Sequence, residues 1–202
     1  MKSISTALKE LESSRFYRGQ IHSVIELPPK NAAYDEKINF SASIKKYLCA
    51  CGIERLYTHQ AEAIRLLREG NNIAITTPTA SGKTLAFNIP VAERIEAEPE
   101  TTALYVYPAK ALSNDQLKTL KDMETVSGIN LNPGIYDGDT PQDKKKRLRE
   151  NACIIITNPY MMHQILPYHV KWRRFFTNLK YIVLDEAHKY RGVFGSNIAF
   201  LL

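Results

Sequence analysis

Residues 77–84, with the sequence TPTASGKT, combine the residue types that bind a phosphate chain. The spacing is that of a P-loop, with Thr77 in the place of the usual first glycine. A tight turn of this kind directs successive backbone N–H groups into an anion site, and the positive end of the following helix strengthens it. Gly82 lets the backbone approach the phosphates, Lys83 supplies a cation, and the Thr84 hydroxyl can ligate Mg²⁺. The segment predicts a nucleoside triphosphate site made by Thr79, Ala80, Ser81, Gly82, Lys83 and Thr84.

A second group of chemically active residues follows the apolar run 181–184, where Asp185, Glu186 and His188 stand close together in the sequence. A buried strand that ends in two carboxylates typically forms the second half of a nucleotide site. Asp185 can hold Mg²⁺ directly or through water, and Glu186 can polarise the attacking water as general base. His188 could sense the nucleotide state or bridge to a second lobe. The predicted catalytic residues are Lys83, Asp185 and Glu186, and the predicted metal ligands are Thr84 and Asp185.

Both motifs have a plainer interpretation. Residues 77–84 could form a turn that only caps a helix, and residues 185–186 could be an acidic turn at the end of a strand. The nucleotide site is favoured because the first motif has an apolar run before it and a helical pattern after it, and because both motifs occur in one chain.

Short, nearly continuous apolar runs predict the strands that position these motifs, at residues 72–76, 103–107, 153–157 and 181–184, with a weaker one at 130–135. Continuous runs are typical of strands buried on both faces of a parallel sheet. Amphipathic stretches predict helices at residues 58–69, 83–97 and 113–126, and another that opens at 140–141. Thr58 and Thr140 are the expected N-caps, and Asp143 falls in the first turn of the last helix. Alternating strands and helices predict right-handed βαβ units in an α/β sheet.

Composition limits the class of protein. The 202 residues suit one domain with an appendage, and 44% hydrophobic with 24% charged residues excludes global disorder. The net charge of +6 permits an anionic partner without requiring one. No apolar run is long enough for a membrane span, the N-terminus is unlike a secretory signal, and the odd number of cysteines favours a reducing compartment. An intracellular protein without a membrane partner is therefore expected, with an N-terminal extension at residues 1–45 and an ATP-binding domain at 46–202.

The motifs together resemble a superfamily 2 helicase of the DExH type. Residues 52–60 resemble the Q motif, which implies that Gln60 contacts the adenine edge and that Tyr57 packs on the base or ribose. Residues 107–112 are similar to motif Ia, residues 136–140 to motif Ib, and residues 157–159 to a further strand-end motif that touches nucleic acid. The resemblance implies the N-terminal RecA-like lobe of a P-loop NTPase, with ATP and Mg²⁺ bound and a mostly parallel sheet flanked by helices.

Residues 190–197, together with residues 77–83, narrow the resemblance to the mitomycin-repair-factor and Hrq-type helicases, distant relatives of RecQ. This similarity implies an ATP-dependent 3′-to-5′ DNA helicase in DNA repair, acting on single-stranded or partly duplex DNA. Family contacts to nucleic acid go mostly to phosphates, so little sequence specificity is expected. The residues that the resemblance assigns to these contacts are Pro108, Ala109, Lys110, Gly138, Asp139, Thr157 and Asn158. The basic run 144–149 is interpreted as a solvated helix face, and Trp172 as a packed side chain.

The resemblance also implies parts that the sequence does not contain. In such lobes a motif III strand lies between the phosphate-loop strand and the acidic strand, and a second lobe supplies arginine fingers. The chain is therefore expected to be a lobe truncated after the acidic motif, and weakly active or inactive in ATP hydrolysis by itself. Two alternatives stay open, an RNA helicase lobe and a non-catalytic module that binds nucleotide or nucleic acid.

Overall fold

The computed structural model describes residues 3–25, 31–77 and 81–200 of the chain. It divides into two compact units, Met1–Ala32 and Ala33–Leu202. The smaller unit contains helix α1 (Ile4–Glu12), whose N-cap Ser3 accepts a hydrogen bond from the Thr6 N–H at 3.2 Å. Residues 33–45, which the sequence assigns to the N-terminal extension, belong to the larger unit.

The larger unit alternates strands with helices, as the apolar pattern predicts. Its strands are β1 (Tyr34–Asp35), β2 (Leu56–Tyr57), β3 (Thr102–Val106), β4 (Pro133–Ile135), β5 (Ile154–Thr157) and β6 (Leu179–Leu184). Its helices are α2 (Ala42–Ala50), α3 (Thr58–Arg68), α4 (Lys83–Ala97), α5 (Lys110–Ser127), α6 (Gln142–Asn151), α7 (Pro159–Ile165), α8 (Arg173–Thr177) and α9 (Gly192–Ala199). Two 3₁₀ segments occupy Leu166–Trp172 and Ala187–Lys189. No helix among the described residues is both long enough and apolar enough to cross a bilayer.

The main sheet has four parallel strands in the order β4-β5-β3-β6. This confirms the predicted parallel α/β sheet and the predicted strands at 103–107, 153–157 and 181–184, within two residues at their ends. Of the weaker run at 130–135, only Pro133–Ile135 is a strand. Strands β1 and β2, with α2 between them in the chain, form a separate antiparallel sheet.

Helices cover the sheet on both faces, which explains why its strands are continuously apolar. Ile154 and Ile156 of β5 pack into the core with α2, α3, α4 and α5, whereas Ile155 faces the core on the opposite side with α6, α7 and α8. Trp172 lies in that second core, buried edge-on against Tyr136 with ring centroids 4.7 Å apart, so its interpretation as a packed side chain is confirmed.

The predicted strand at 72–76 is wrong, since residues 71–77 belong to no strand. A strand is held by hydrogen bonds to a neighbour, and within the described residues β6 pairs only with β3. The outer edge of β6 is therefore without a partner strand in the part of the chain that the structure describes. Residues 72–76 thus have the apolar composition of a buried strand but no ladder to join.

Two predicted helix caps are also wrong. Helix α3 begins at Thr58 with Tyr57 as N-cap, because the Gln60 side-chain oxygen accepts a hydrogen bond from the Tyr57 N–H at 2.9 Å. Helix α6 begins after Pro141, and the Thr140 hydroxyl instead accepts from the Asp137 N–H at 3.0 Å. In both places a different local contact, between residues three positions apart, forms instead of the expected cap.

Burial within the sheet gives a direct test of the fold. We expect Ile156→Ala to lower the free energy of unfolding by about 2–5 kcal/mol, since Ile156 is fully buried and truncation leaves a cavity. The same change at Ile182, which is 47% exposed on β6, should cost less than about 1 kcal/mol. Urea denaturation of both variants measures the difference, and equal losses would contradict this packing.

Candidate nucleotide and nucleic-acid site

The four parallel strands bring their carboxyl ends to one edge of the sheet. Because the strands run in the same direction, the loops that follow Val106, Ile135, Thr157 and Leu184 start at this edge. Asp185 and the residues predicted to contact nucleic acid lie in these loops or at the ends of the helices and strands that flank them. The arrangement makes the carboxyl edge the candidate site.

Helix α4 brings the phosphate loop to the same edge. It ends at Ala97 and β3 begins at Thr102, so the end of the helix lies where the strand starts. Its 15 residues extend about 22 Å, which is enough to return across the sheet. The Tyr105 hydroxyl donates to Oδ1 of Asn88 at 3.0 Å, which joins the first half of α4 to the second half of β3. The start of α4, with Lys83, therefore lies toward the carboxyl edge.

Helix α3 holds the phosphate loop from one side. The Gln60 side chain donates from Nε2 to the Gly82 carbonyl oxygen at 3.0 Å, and Nε2 of His59 lies 2.9 Å from the Ser81 carbonyl oxygen. Gln60 is buried, and both ends of its amide are engaged because its oxygen caps α3 at Tyr57. The residue that the resemblance assigns to the adenine edge thus also fixes the loop backbone.

Gly82 is required at this position for two reasons. Its φ of +74° lies in the left-handed region, which disfavours residues with a Cβ. A Cβ would also come within 2.4 Å of Nε2 of Gln60. The glycine therefore permits both the sharp entry into α4 and the close approach of the Gln60 amide.

Side chains of the phosphate loop form hydrogen bonds with other groups of the same loop. Nζ of Lys83 donates to the Thr77 carbonyl oxygen at 2.6 Å, and the hydroxyls of Thr77 and Ser81 are 2.6 Å apart. The departure from the usual glycine thus has a structural use, since the Thr77 hydroxyl links the start of the loop to its end. Thr84 lies half-buried in the first turn of α4. The predicted site residues Thr79 and Ala80 lie outside the described residues.

The acidic residues continue directly from β6. The Asp185 N–H donates to the Val106 carbonyl oxygen at 3.1 Å, which extends the pairing with β3 by one residue. Glu186 then adopts φ +52°, an uncommon conformation for a residue other than glycine, and its N–H donates to Oδ1 of Asp185 at 2.9 Å. Oε2 of Glu186 lies 3.3 Å from Nε2 of the exposed His188. The two carboxylates thus have different partners, the Glu186 N–H for Asp185 and the His188 imidazole for Glu186.

Tyr107 and Tyr190 lie near these carboxylates. Burial, with the Asp185 charge adding to it, raises the pKa of Tyr107 far above its usual range. Burial, followed by the charges of Asp185 and Glu186, raises the pKa of Tyr190 to about 12. Both phenols therefore stay protonated at neutral pH and add no negative charge beside the carboxylates.

The oxygen groups present suit a magnesium ion that is shared with phosphates. Mg²⁺ prefers hard oxygen ligands and is usually held by one or two carboxylates together with substrate phosphates. Asp185 and Thr84 offer a carboxylate and a hydroxyl of this kind. Within residues 3–25, 31–77 and 81–200, no three His, Cys, Asp or Glu side chains form a cluster that could hold a metal alone.

Two of the predicted nucleic-acid contacts pair with each other. The Lys110 ammonium donates to the Asp139 carboxylate, and both side chains are exposed. This hydrogen bond raises the pKa of Lys110 and lowers that of Asp139. Gly138 is exposed beside them, and Pro108 and Ala109 are half-buried just before α5. The loops after β3 and β4 are thus joined at the carboxyl edge.

Thr157 and Asn158 hold the loop after β5 in place. Thr157 is buried, and its hydroxyl donates to the Tyr136 carbonyl oxygen at 2.7 Å. The Asn158 side chain caps α7 by accepting from the Met161 N–H at 2.9 Å. In this conformation the Thr157 hydroxyl and the Asn158 side-chain oxygen form hydrogen bonds within the protein, and these bonds hold the start of the loop after β5 in place. The basic run on α6 is partly solvated as predicted, with Lys144, Lys146 and Arg147 exposed.

Sequence reasoning missed the groups that connect these loops. His59, Tyr107 and Tyr190 lie within the motif-like segments 52–60, 107–112 and 190–197, but none of the three was predicted to have a role at the site. A buried network was also missed, in which Oδ1 of Asn88 accepts from Tyr105 at 3.0 Å and from Gln116 at 2.8 Å. The only available signal was the presence of polar residues in otherwise apolar stretches.

The sequence matches the DEAD/DEAH box helicase family over residues 57–202. It is 48% identical over 157 residues to the uncharacterized ATP-dependent helicase YprA of Bacillus subtilis (strain 168), a match that covers 77% of this chain and 21% of YprA. It is 38% identical over 204 residues to the ATP-dependent helicase HRQ1 of Saccharomyces cerevisiae, which covers 98% of this chain and 19% of HRQ1. The chain thus spans about a fifth of the length of these relatives.

The crystal structure of the DUF1998 helicase MrfA bound to DNA and AMPPNP superposes with a TM-score of 0.88 at 40% identity, covering 99% of this chain and 28% of MrfA. The fold is therefore that of a RecA-like helicase lobe, as predicted. The resemblance to the mitomycin-repair-factor and Hrq-type helicases is likewise confirmed.

Gly82 gives a test of the loop geometry with a matched control. Gly82→Ala and Gly128→Ala both place a Cβ at positive φ, which should cost about 1–2 kcal/mol in each. Only at residue 82 does the Cβ meet another group, so that variant should lose about 1–3 kcal/mol more as the buried Gln60 amide loses its partner. Chemical denaturation measures both variants, and equal losses would argue against the Gln60 contact.

Proposed function

Because the chain belongs to the DEAD/DEAH box helicase family, we propose that its larger unit is the ATP-binding motor lobe of an ATP-dependent DNA helicase. The observation that carries this proposal is the position of two motifs at one edge of the sheet. The start of α4 presents Lys83, and the end of β6 presents Asp185 and Glu186. A triphosphate bound between them would meet a cation from one side and carboxylates from the other.

ATP is the proposed nucleotide. Backbone N–H groups at the start of α4, including those of Gly82 and Lys83, would bind the phosphates, and Lys83 would neutralise the β and γ phosphates in exchange for its bond to the Thr77 carbonyl. Gln60 and Tyr57 lie next to the loop, where they would contact adenine and the base or ribose. The Tyr57 ring is partly exposed but stacks on Tyr34 and His59, so packing on the base or ribose would replace one of these stacking contacts.

Hydrolysis is assigned to the acidic turn. Thr84 and Asp185 would hold Mg²⁺, which when bound neutralises the charge of the phosphates. Glu186 would accept a proton from the attacking water as general base. Oε2 of this carboxylate lies 3.3 Å from Nε2 of His188. The neutral phenols of Tyr107 and Tyr190 leave the carboxylates as the local negative charges.

Nucleic acid is the proposed partner at the loops after β3, β4 and β5. Lys110, exposed at the start of α5, is the cation placed to contact a phosphate. DNA is favoured because the MrfA structure, which matches 99% of this chain, contains DNA. The 3′-to-5′ direction, the role in repair and the intracellular location follow from the same relationship and belong to the proposal.

The relatives are roughly four to five times longer than this chain, so a second lobe is proposed as the partner that completes the motor. Such a lobe supplies cationic groups worth roughly 10³–10⁵ in rate in related phosphoryl transfer. We therefore expect the isolated chain to bind ATP but to hydrolyse it slowly and to unwind nothing.

Lys83 gives the first test of this function. We expect Lys83→Ala to weaken ATP binding at least about tenfold, since a hydrogen bond to a charged group typically contributes about 1.5–3 kcal/mol. Lys118→Ala, which removes the same charge from an exposed position on α5, should bind ATP like the wild type. Isothermal titration calorimetry measures both affinities. Unchanged binding by the Lys83 variant would exclude the nucleotide site.

Asp139 gives a test of the nucleic-acid edge. We expect Asp139→Asn to bind a single-stranded oligonucleotide about two- to fivefold more tightly at low salt, because it releases the exposed Lys110 from its ion pair. Asp115→Asn makes the same charge change on α5 away from this pair and should have a smaller effect. Fluorescence anisotropy with DNA and RNA of one sequence measures this. Equal gains in both variants would exclude a specific role for the pair, and a preference for RNA would favour an RNA helicase lobe.

A further inference from the structure

Consecutive side chains of α3 bind consecutive carbonyl groups of the phosphate loop. His59 contacts the Ser81 oxygen at 2.9 Å and Gln60 contacts the Gly82 oxygen at 3.0 Å, in both cases through Nε2. A carbonyl oxygen can only accept a hydrogen bond, so Nε2 of His59 carries the proton in this contact. Two adjacent peptide groups of the loop are therefore fixed from the same side.

Fixing these carbonyls also fixes the direction of two N–H groups. In a trans peptide the C=O and N–H bonds point in opposite directions, and the described residues contain no cis peptide. The Ser81 oxygen shares its peptide group with the Gly82 N–H, and the Gly82 oxygen shares its group with the Lys83 N–H. Turning both oxygens toward α3 turns both N–H groups away from α3, into the concave side of the loop where an anion binds.

The imidazole that makes the first of these contacts is itself held by stacking. The His59 ring lies nearly parallel to that of Tyr57, with an interplanar angle of 9° and centroids 5.7 Å apart. Tyr57 in turn stacks on Tyr34 at 5.2 Å, and the Arg55 guanidinium lies 4.3 Å above the Tyr34 ring. This ladder restricts rotation of the imidazole, so its N–H is oriented toward Ser81 before any ligand binds.

We propose that His59 is a positioning residue of the phosphate loop, which orients the N–H groups of Gly82 and Lys83 through its hydrogen bond to the Ser81 carbonyl. The inference rests on the proposed function, because it takes the triphosphate of ATP as the ligand of the loop. His59 acts through the backbone and contributes to the binding of phosphate. Its loss should therefore weaken the binding of ATP while the binding of adenosine, which has no phosphate, is retained.

Three variants separate the hydrogen bond from the stacking. His59→Phe keeps a ring for Tyr57 to stack on but removes the donor. His59→Gln loses the ring but keeps an N–H donor at a similar distance from the backbone. His59→Asn has the same amide on a shorter side chain that does not reach Ser81, so it controls for polarity and provides a second comparison if the Phe variant unfolds.

The measurement is the dissociation constant of the 202-residue chain for ATP and, by competition against a fluorescent ATP analogue, for adenosine. We expect His59→Phe and His59→Asn to weaken ATP binding about tenfold, the effect of one well-placed hydrogen bond, and to leave adenosine binding within about twofold. His59→Gln should bind ATP within about threefold of the wild type. Thermal unfolding of each variant confirms that the folded chain is being compared.

Three results would overturn the inference. They are wild-type ATP affinity in His59→Phe and His59→Asn, a loss in His59→Gln as large as in His59→Phe, and an equal loss of adenosine and ATP binding in any variant that lacks the donor. Lys83→Ala distinguishes this failure from that of the proposed function. If Lys83→Ala loses ATP binding while the His59 variants do not, only the role of His59 is refuted. A wild-type chain that binds no ATP refutes both.

Discussion

The parallel pairing of β3 with β5 on one side and with β6 on the other is the constraint on which the site depends. It sets Val106 beside Thr157 and Leu184, so that three loops leave the sheet at the same level. The hydrogen bond from Asp185 to Val106 continues this pairing into the acidic turn. Without this register, residues that are far apart in the sequence would have no shared surface on which to bind a common ligand.

Burial explains which strands the sequence could predict. The runs at 103–107 and 153–157 are apolar on both faces because helices cover the sheet on both sides, and such runs were identified correctly. The run at 72–76 has the same composition but forms no strand. Apolar composition indicates that a segment can be buried. A strand also needs a neighbouring strand to pair with, and composition does not show whether one is present.

At the candidate site, the sequence predicted which residues take part but not which residues they contact. Lys83, Gly82 and Asp185 were predicted as site residues because each lies in a short segment whose spacing is typical of a nucleotide site. The contacts of His59 and Gln60 with residues 81–82 were not predicted, because they join segments 22 residues apart in the chain. The caps of α3 and α6 were missed for a different reason, because several local hydrogen bonds compete there and the sequence does not show that Gln60 accepts from Tyr57 or that Thr140 accepts from Asp137.

The outer side of β6 has a consequence for how this chain behaves in solution. Lys180 and Ile182 are exposed on one face of the strand, and within the described residues the outer edge of the strand has its peptide groups without a neighbouring ladder. Such an edge is a template for intermolecular strand addition, and the apolar Ile182 favours it. The Lys180 charge opposes it by placing like charges together when two copies approach. We therefore expect self-association along β6 to increase with salt concentration, because salt screens the repulsion between these ammonium groups.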